Sequence, residues 1–137
     1  MVFSPQLAEI RFGCGLSPVI APPAAPQALL DGLAAPDDMA QAFPIERYDT
    51  YRAWIARAKE VRRETMRSKR SKESVDAFRK LKQEQARIGL TWTVHTLMRS
   101  TMSATPFRER LVAFWSDHFT AHGKNGILAT ATAPYIE

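Results

Sequence analysis

At 137 residues the chain is long enough for one domain with a core of its own. Hydrophobic residues at 45% beside charged residues at 24% exclude the apolar poverty of a disordered chain, so folding is expected. A net charge of +5 admits an anionic partner without naming one, and the single cysteine, Cys14, excludes an internal disulfide and a multi-cysteine zinc site, which fits a reducing compartment.

The chain start does not read as a secretory signal, because Gln6, Glu9 and Arg11 interrupt the apolar run that one requires. No stretch approaches the roughly 18–20 apolar residues of a membrane span. Together these give the expectation of a soluble, cytoplasmic protein. Ser4 and Pro5 predict the start of a short helix, serine as cap and proline in the first turn. Leu7, Ile10 and Cys14 recur at helical spacing, and Gly13 and Gly15 end the helix near Phe12.

Residues 17–47 predict a proline-rich connector and loop. Pro18, Pro22, Pro23 and Pro26 remove amide donors and fix φ, so the first part is extended. A short helix is predicted over 27–33. Residues 34–47 are predicted to be mostly loop, broken at Pro36, Asp37, Asp38 and Pro44 and pinned by Met39, Phe43 and Ile45.

From Thr50 to Ser103 there is no proline and one glycine, Gly89, within a composition rich in Arg, Lys, Glu, Ala and Leu. Two helices are predicted, turning at Ser68-Lys69-Arg70-Ser71-Lys72, which has no apolar residue to bury. The expected result is a long basic antiparallel helical hairpin. Trp54, Ile55, Ala58 and Val61 form the apolar side of its first arm, facing Phe78, Leu81, Ile88 and Trp92 of the second. Beyond Gly89 the residues Leu90, Trp92, Val94, Leu97, Met98 and Met102 predict burial against further helices.

Thr105-Pro106 predicts another helix start and Gly123 its end. Phe107, Leu111, Phe114, Trp115, His118 and Phe119 recur at three-and-four spacing, which makes this the most strongly apolar helix, packed at the Gly89 end of the hairpin. Lys124-Asn125-Gly126 is turn chemistry. The fold class expected from the whole pattern is all-α.

Three segments resemble a bacterial family known as domain of unknown function 1800. Arg11-Phe12-Gly13-Cys14-Gly15-Leu16-Ser17-Pro18 is similar to the family's N-terminal element, a glycine-bearing turn after a short helix. Residues 108–120, from Arg108-Glu109-Arg110 through Phe114-Trp115-Ser116-Asp117-His118, resemble its most specific motif. Pro134-Tyr135-Ile136-Glu137 resembles the start of a segment that continues into further helices. The resemblance implies a helical fold of several hundred residues, of which this chain would be the N-terminal part, and it implies no activity.

Candidate chemistry divides between two groups of residues. His118 and His122 stand four apart on a predicted helix with Asp117 beside them, a spacing that could hold one metal ion. The glutamate of the His-Glu-x-x-His arrangement is missing, and burial of His118 between packed helices is the competing reading. Arg62, Arg63, Arg67, Lys69, Arg70 and Lys72 concentrate positive charge that could neutralise phosphates, but no aromatic residue is interleaved for base stacking, so a solvated hairpin tip is favoured over nucleic acid.

Arg108, Glu109 and Arg110 read as exposed charge that pairs with Asp117 or docks another part of the protein, Phe114 and Trp115 as core, and Cys14 as a packed thiol without a base to activate it. No catalytic residue, cofactor or triad emerges. The leading expectation is a structural and interaction segment whose apolar helix docks the remainder of its own parent protein. Part of a metal-dependent enzyme and a nucleic-acid-binding hairpin are the alternatives.

Overall fold

The computed structural model describes residues 2–119 and 132–136, and within them the chain is all-α, with seven helices and no strand. Two compact units divide it. The first comprises the residues up to Pro44 together with Val94–Phe119; the second comprises Ile45–Thr93 together with the last described helix.

In the first unit, α1 (Pro5–Phe12) begins as the sequence predicts: Ser4 is extended, its hydroxyl accepts the Leu7 amide at 3.4 Å, and Pro5 occupies the first helical position. Its buried residues are Ala8 and Glu9, whereas Leu7 and Ile10 are exposed, so the inward face is rotated from the one that the apolar spacing indicates. Helix α2 (Pro26–Ala34) follows the extended connector without a side-chain cap. The stretch expected to be mostly loop carries one short helix, α3 (Asp38–Ala42), because the Asp37 carboxylate accepts the Ala40 amide at 3.0 Å and caps it.

The second unit is built on α4 (Tyr48–Arg67) and the first two-thirds of α5 (Lys72–Met102). Tyr51, Ile55 and Ala58 give α4 a buried stripe at helical spacing, with Trp54 and Val61 half-buried beside it. Tyr51 is the centre: its ring stacks on Trp54 at 5.4 Å and meets Trp92 of α5 edge-on at 5.1 Å. Ile55 completes this cluster, and Ile45, Ile88 and Ala133 pack around it. The short α7 (Thr132–Ile136) lies against α4, with Pro134 fully buried and Tyr135 edge-on to Tyr48 at 5.8 Å.

Where α4 meets the turn, the Thr65 hydroxyl donates to the carbonyls of Val61, at 2.8 Å, and Ser74, at 3.1 Å. Tyr51 thus faces Trp92 at one end of α4 while Thr65 faces Ser74 at the other. Lys69 and Arg70 both adopt the left-handed backbone, φ 50° and 62°, and the Arg70 amide reaches back to the Thr65 carbonyl at 3.0 Å. A helix-ending turn of this kind favours glycine, and here two cations occupy it. Ser68, Ser71 and Ser74 bind it together, Ser68 Oγ donating to Ser74 Oγ at 2.8 Å.

Helix α5 runs 31 residues through Gly89 without a break and enters the first unit at Val94. There, Arg99 Nε donates to the Phe43 carbonyl at 2.9 Å and His95 Nδ1 lies 2.6 Å from that of Pro44, fixing the end of the connector. The apolar residues expected to be buried beyond Gly89 divide: Trp92 is buried and Met98 half-buried, but Leu90, Val94, Leu97 and Met102 are exposed.

Helix α6 (Pro106–Phe119) starts after Thr105, whose amide is held by the Ser103 hydroxyl at 3.0 Å. It packs on α1 and α2, with Phe12 edge-on to Phe107 at 6.2 Å. Its predicted terminator, Gly123, and the turn at 124–126 lie outside the described residues.

Candidate functional site

The α6 segment carrying the specific sequence motif has two faces with opposite roles. On the inner one, Arg108 reaches the end of α2, where the last carbonyls of a helix lack partners. Its Nη2 donates to Gly32 O and Leu33 O, each at 2.9 Å, and to Ala35 O, while Nη1 donates to Pro36 O at 3.2 Å. A positive charge at the negative end of the helix adds a favourable dipole interaction. Arg108 is therefore half-buried and engaged with backbone, not an exposed partner of Asp117.

The outer face overturns the expectation that this helix is sealed. Val112, Phe114 and Trp115 are 44%, 56% and 47% exposed, and Asp117 and His118 are exposed as well. The three rings form a local group: Phe114 lies against Trp115 at 5.2 Å, and the His118 imidazole stacks on Phe114 and stands edge-on to Trp115, each at 6.0 Å. The three-and-four periodicity overcounts the inner face, because α1 and α2 cover only the side of Phe107, Arg108 and Leu111.

Of the three residues considered as metal ligands, Asp117 and His118 lie on this exposed outer face. His122 lies outside the described residues, and among those described no group of three or more His, Cys, Asp or Glu side chains could hold an ion.

The basic residues lie on the outer side of α4 and in the turn after it. Lys59, Arg62, Arg63 and Arg67 flank the exposed Met66 and line a shallow open groove. Arg63 pairs with Glu60 at 3.4 Å, and Arg67 with Glu64 at 3.6 Å and Glu60 at 3.8 Å, all in solvent where such pairs contribute little. Lys69, Arg70 and Lys72 are exposed in and after the turn and do not line that groove.

A third constellation escapes sequence reasoning. Glu9 of α1 is only 4% exposed and lies between two small cavities of about 100 and 180 Å³ that it shares with Pro106. The Cys14 amide donates to the carboxylate, yet Oε2 is buried without a hydrogen-bond partner. Burial pushes the Glu9 carboxyl above its ordinary range, and the Cys14 bond offsets this only in part.

Gly13 makes the arrangement fit, for reasons of space. Its φ of −97° and ψ of −164° suit any residue, but an added Cβ would overlap the Glu9 carboxylate and come within 2.8 Å of the Glu9 carbonyl oxygen. Gly15, at φ 105°, is the glycine whose backbone conformation matters. Cys14 itself donates through Sγ to the Pro106 carbonyl at 3.6 Å. Its thiol is pushed up by burial and by the Glu109 and Glu9 carboxylates, against the opposing Arg110, so it is a poor nucleophile at neutral pH. The one sequence signal for this constellation is the glycine four residues after an acid that interrupts an apolar helix.

Among the described residues no helix is long and apolar enough to cross a membrane. The profile of the family described as protein of unknown function (DUF1800) matches residues 9–136, nearly the whole chain, and the chain belongs to that family. No curated protein and no solved structure matches it.

Proposed function

We propose that this DUF1800 member acts as a structural and interaction segment, with the outer face of α6 docking onto further helices of its own parent protein. The observation that carries the reading is the exposure of Val112, Phe114 and Trp115 on a helix whose other face is already held by α1, α2 and Arg108. The resemblance of Pro134-Tyr135-Ile136-Glu137 to a family segment that runs on into further helices supports that occupant.

Half-exposed Phe and Trp rings each leave about 100 Å² to cover, worth about 2.5 kcal/mol apiece at ~25 cal/mol/Å² before the cost of association. Static light scattering of the chain, alone and mixed with the polypeptide that follows it in the parent protein, tests this. Association is expected with that polypeptide, weakened at least tenfold in Phe114→Ser and Trp115→Ser with the helical circular dichroism unchanged. A monomer indifferent to the added polypeptide would refute the reading.

A second reading has its own observation, the groove in which Lys59, Arg62, Arg63 and Arg67 surround Met66. Four cations on one helix face suit a nucleic-acid backbone, bound by counterion release. The expected affinity falls steeply with salt and on charge reversal at Arg62, Arg63 and Arg67, all of which line the groove. No binding at low salt would remove it.

A further inference from the structure

Helix α1 turns little apolar surface inward. Ala8 and Glu9 are its buried residues, while Leu7, Ile10 and Phe12 are 48%, 54% and 49% exposed. What seats it is the Ala8 methyl, the edge-on contact of Phe12 with Phe107 of α6, the Cys14 Sγ bond to the Pro106 carbonyl, and the Glu9 side chain itself. A helix held by so few apolar contacts can open locally while the rest of its unit stays folded.

Glu9 suits this seat only in its neutral form. One carboxyl oxygen accepts from the Cys14 amide, and Oε2 is closed off from solvent without a partner. An ionised carboxylate left in that position costs far more than the neutral acid. No described cation forms an ion pair with it. On α2 and the connector the residues beside it, among them Ala28, Leu29 and Gly32, carry no charge, and Asp31 is bonded to Gln27. At the end of α5 Arg99 donates to the Phe43 carbonyl, and on α6 Arg108 is engaged with the end of α2. Glu109 and Arg110 of α6 act on Cys14 with opposite signs, and Arg11 of α1 is exposed.

We infer that α1 is a proton-operated latch on α6: with Glu9 protonated the helix stays seated, and loss of that proton releases α1 and the turn through Gly15 while α2, α5 and α6 remain in place. Release returns the carboxylate to water. Below pH 4.5 the carboxyl is protonated in both forms, and pH does not bias the latch. Above pH 4.5 the released form loses its proton first, so the released fraction gains up to tenfold per pH unit until the seated form is ionised too. Release uncovers Phe107 and the Pro106 carbonyl, which Phe12 and Cys14 otherwise occupy. The outer face of α6 takes no part, and failure of the latch leaves the docking proposal untouched.

Amide hydrogen exchange of the whole chain from about pH 4.5 to about pH 7.5, expressed as protection factors, reads the released fraction even when it is small. The Ala8 amide, bonded to the Ser4 carbonyl, and the Gly13 amide, bonded to that of Glu9, report on α1; the Ser103 amide, bonded to the Arg99 carbonyl, reports on α5. Protection of Ala8 and Gly13 is expected to fall together, severalfold across the range, with Ser103 unchanged.

Glu9→Gln, which cannot ionise, should hold the α1 protection constant. Phe12→Ala keeps the carboxylate and should lower α1 protection severalfold at every pH while preserving its slope; it carries the test if Glu9→Gln does not fold. Protection independent of pH in the parent, the same slope in a folded Glu9→Gln, a parallel fall at Ser103, or unaltered α1 protection in Phe12→Ala would each overturn the inference.

Discussion

Replacing Arg108 separates its two contributions to α6, the apolar stem and the charged head that holds the end of α2. The head makes four contacts, but Nη2 faces three carbonyls with two hydrogens, so one of its bonds is shared. The Pro36 contact is exposed and water can replace it. Two part-buried, charge-assisted bonds remain, at about 1.5 kcal/mol each, so Arg108→Met, which keeps much of the stem, should cost about 3 kcal/mol.

Arg108→Lys places a point charge near the same carbonyls without the fork and should recover up to about half of that loss. Arg108→Ala adds the lost packing of the stem. For 137 residues at ~2.1 cal/mol/K of unfolding entropy each, 1 kcal/mol corresponds to about 3.5 °C, so the methionine variant should melt about 10 °C lower. Thermal and urea unfolding followed by circular dichroism measure this directly. If methionine lies within about 0.5 kcal/mol of the parent, the carbonyls are as well served by water and Arg108 does not anchor α6.

The Glu9 carboxyl, held above its ordinary 4.5 by burial, takes up its proton more readily folded than unfolded, so its contribution to stability is fully present below pH 4.5 and is lost as pH rises toward its folded value. The urea midpoint of the parent should therefore fall relative to Glu9→Gln over that window; a constant difference from acid to neutral pH would contradict the shift. Gly13→Ala should destabilise by about 1–3 kcal/mol, because the methyl group displaces a buried carboxylate rather than a flexible surface tip, and urea unfolding reads the loss. Arg70→Gly should stabilise by up to about 1 kcal/mol, since the left-handed turn strains any side-chain-bearing residue, and a lower melting temperature would show that its φ of 62° is not strained.

Local chemistry in the sequence is enough to locate most helix boundaries. Ser4-Pro5 starts α1, the Ser68–Ser71 turn separates α4 from α5, and Thr105-Pro106 starts α6, because caps, prolines and the absence of breakers act over three or four residues. The α4 and α5 stripes were legible for the same reason: Ile55, Ala58, Leu81 and Trp92 repeat at the period of the helix and are buried.

Which apolar faces are covered is decided by how many neighbours a helix has, and spacing along one helix carries no count of them. Leu90, Leu97, Phe114 and Trp115 satisfy the pattern of core residues and stand exposed, while Glu9, Gln85 and Arg99 break the pattern and are buried. Arg108 finds its carbonyls more than 70 residues away in the chain, and Glu9 fits only because Gly13 lacks a Cβ. The Arg108 pairing exists only once the chain has folded, since the carbonyls that satisfy its guanidinium come from a segment that no local pattern brings to it.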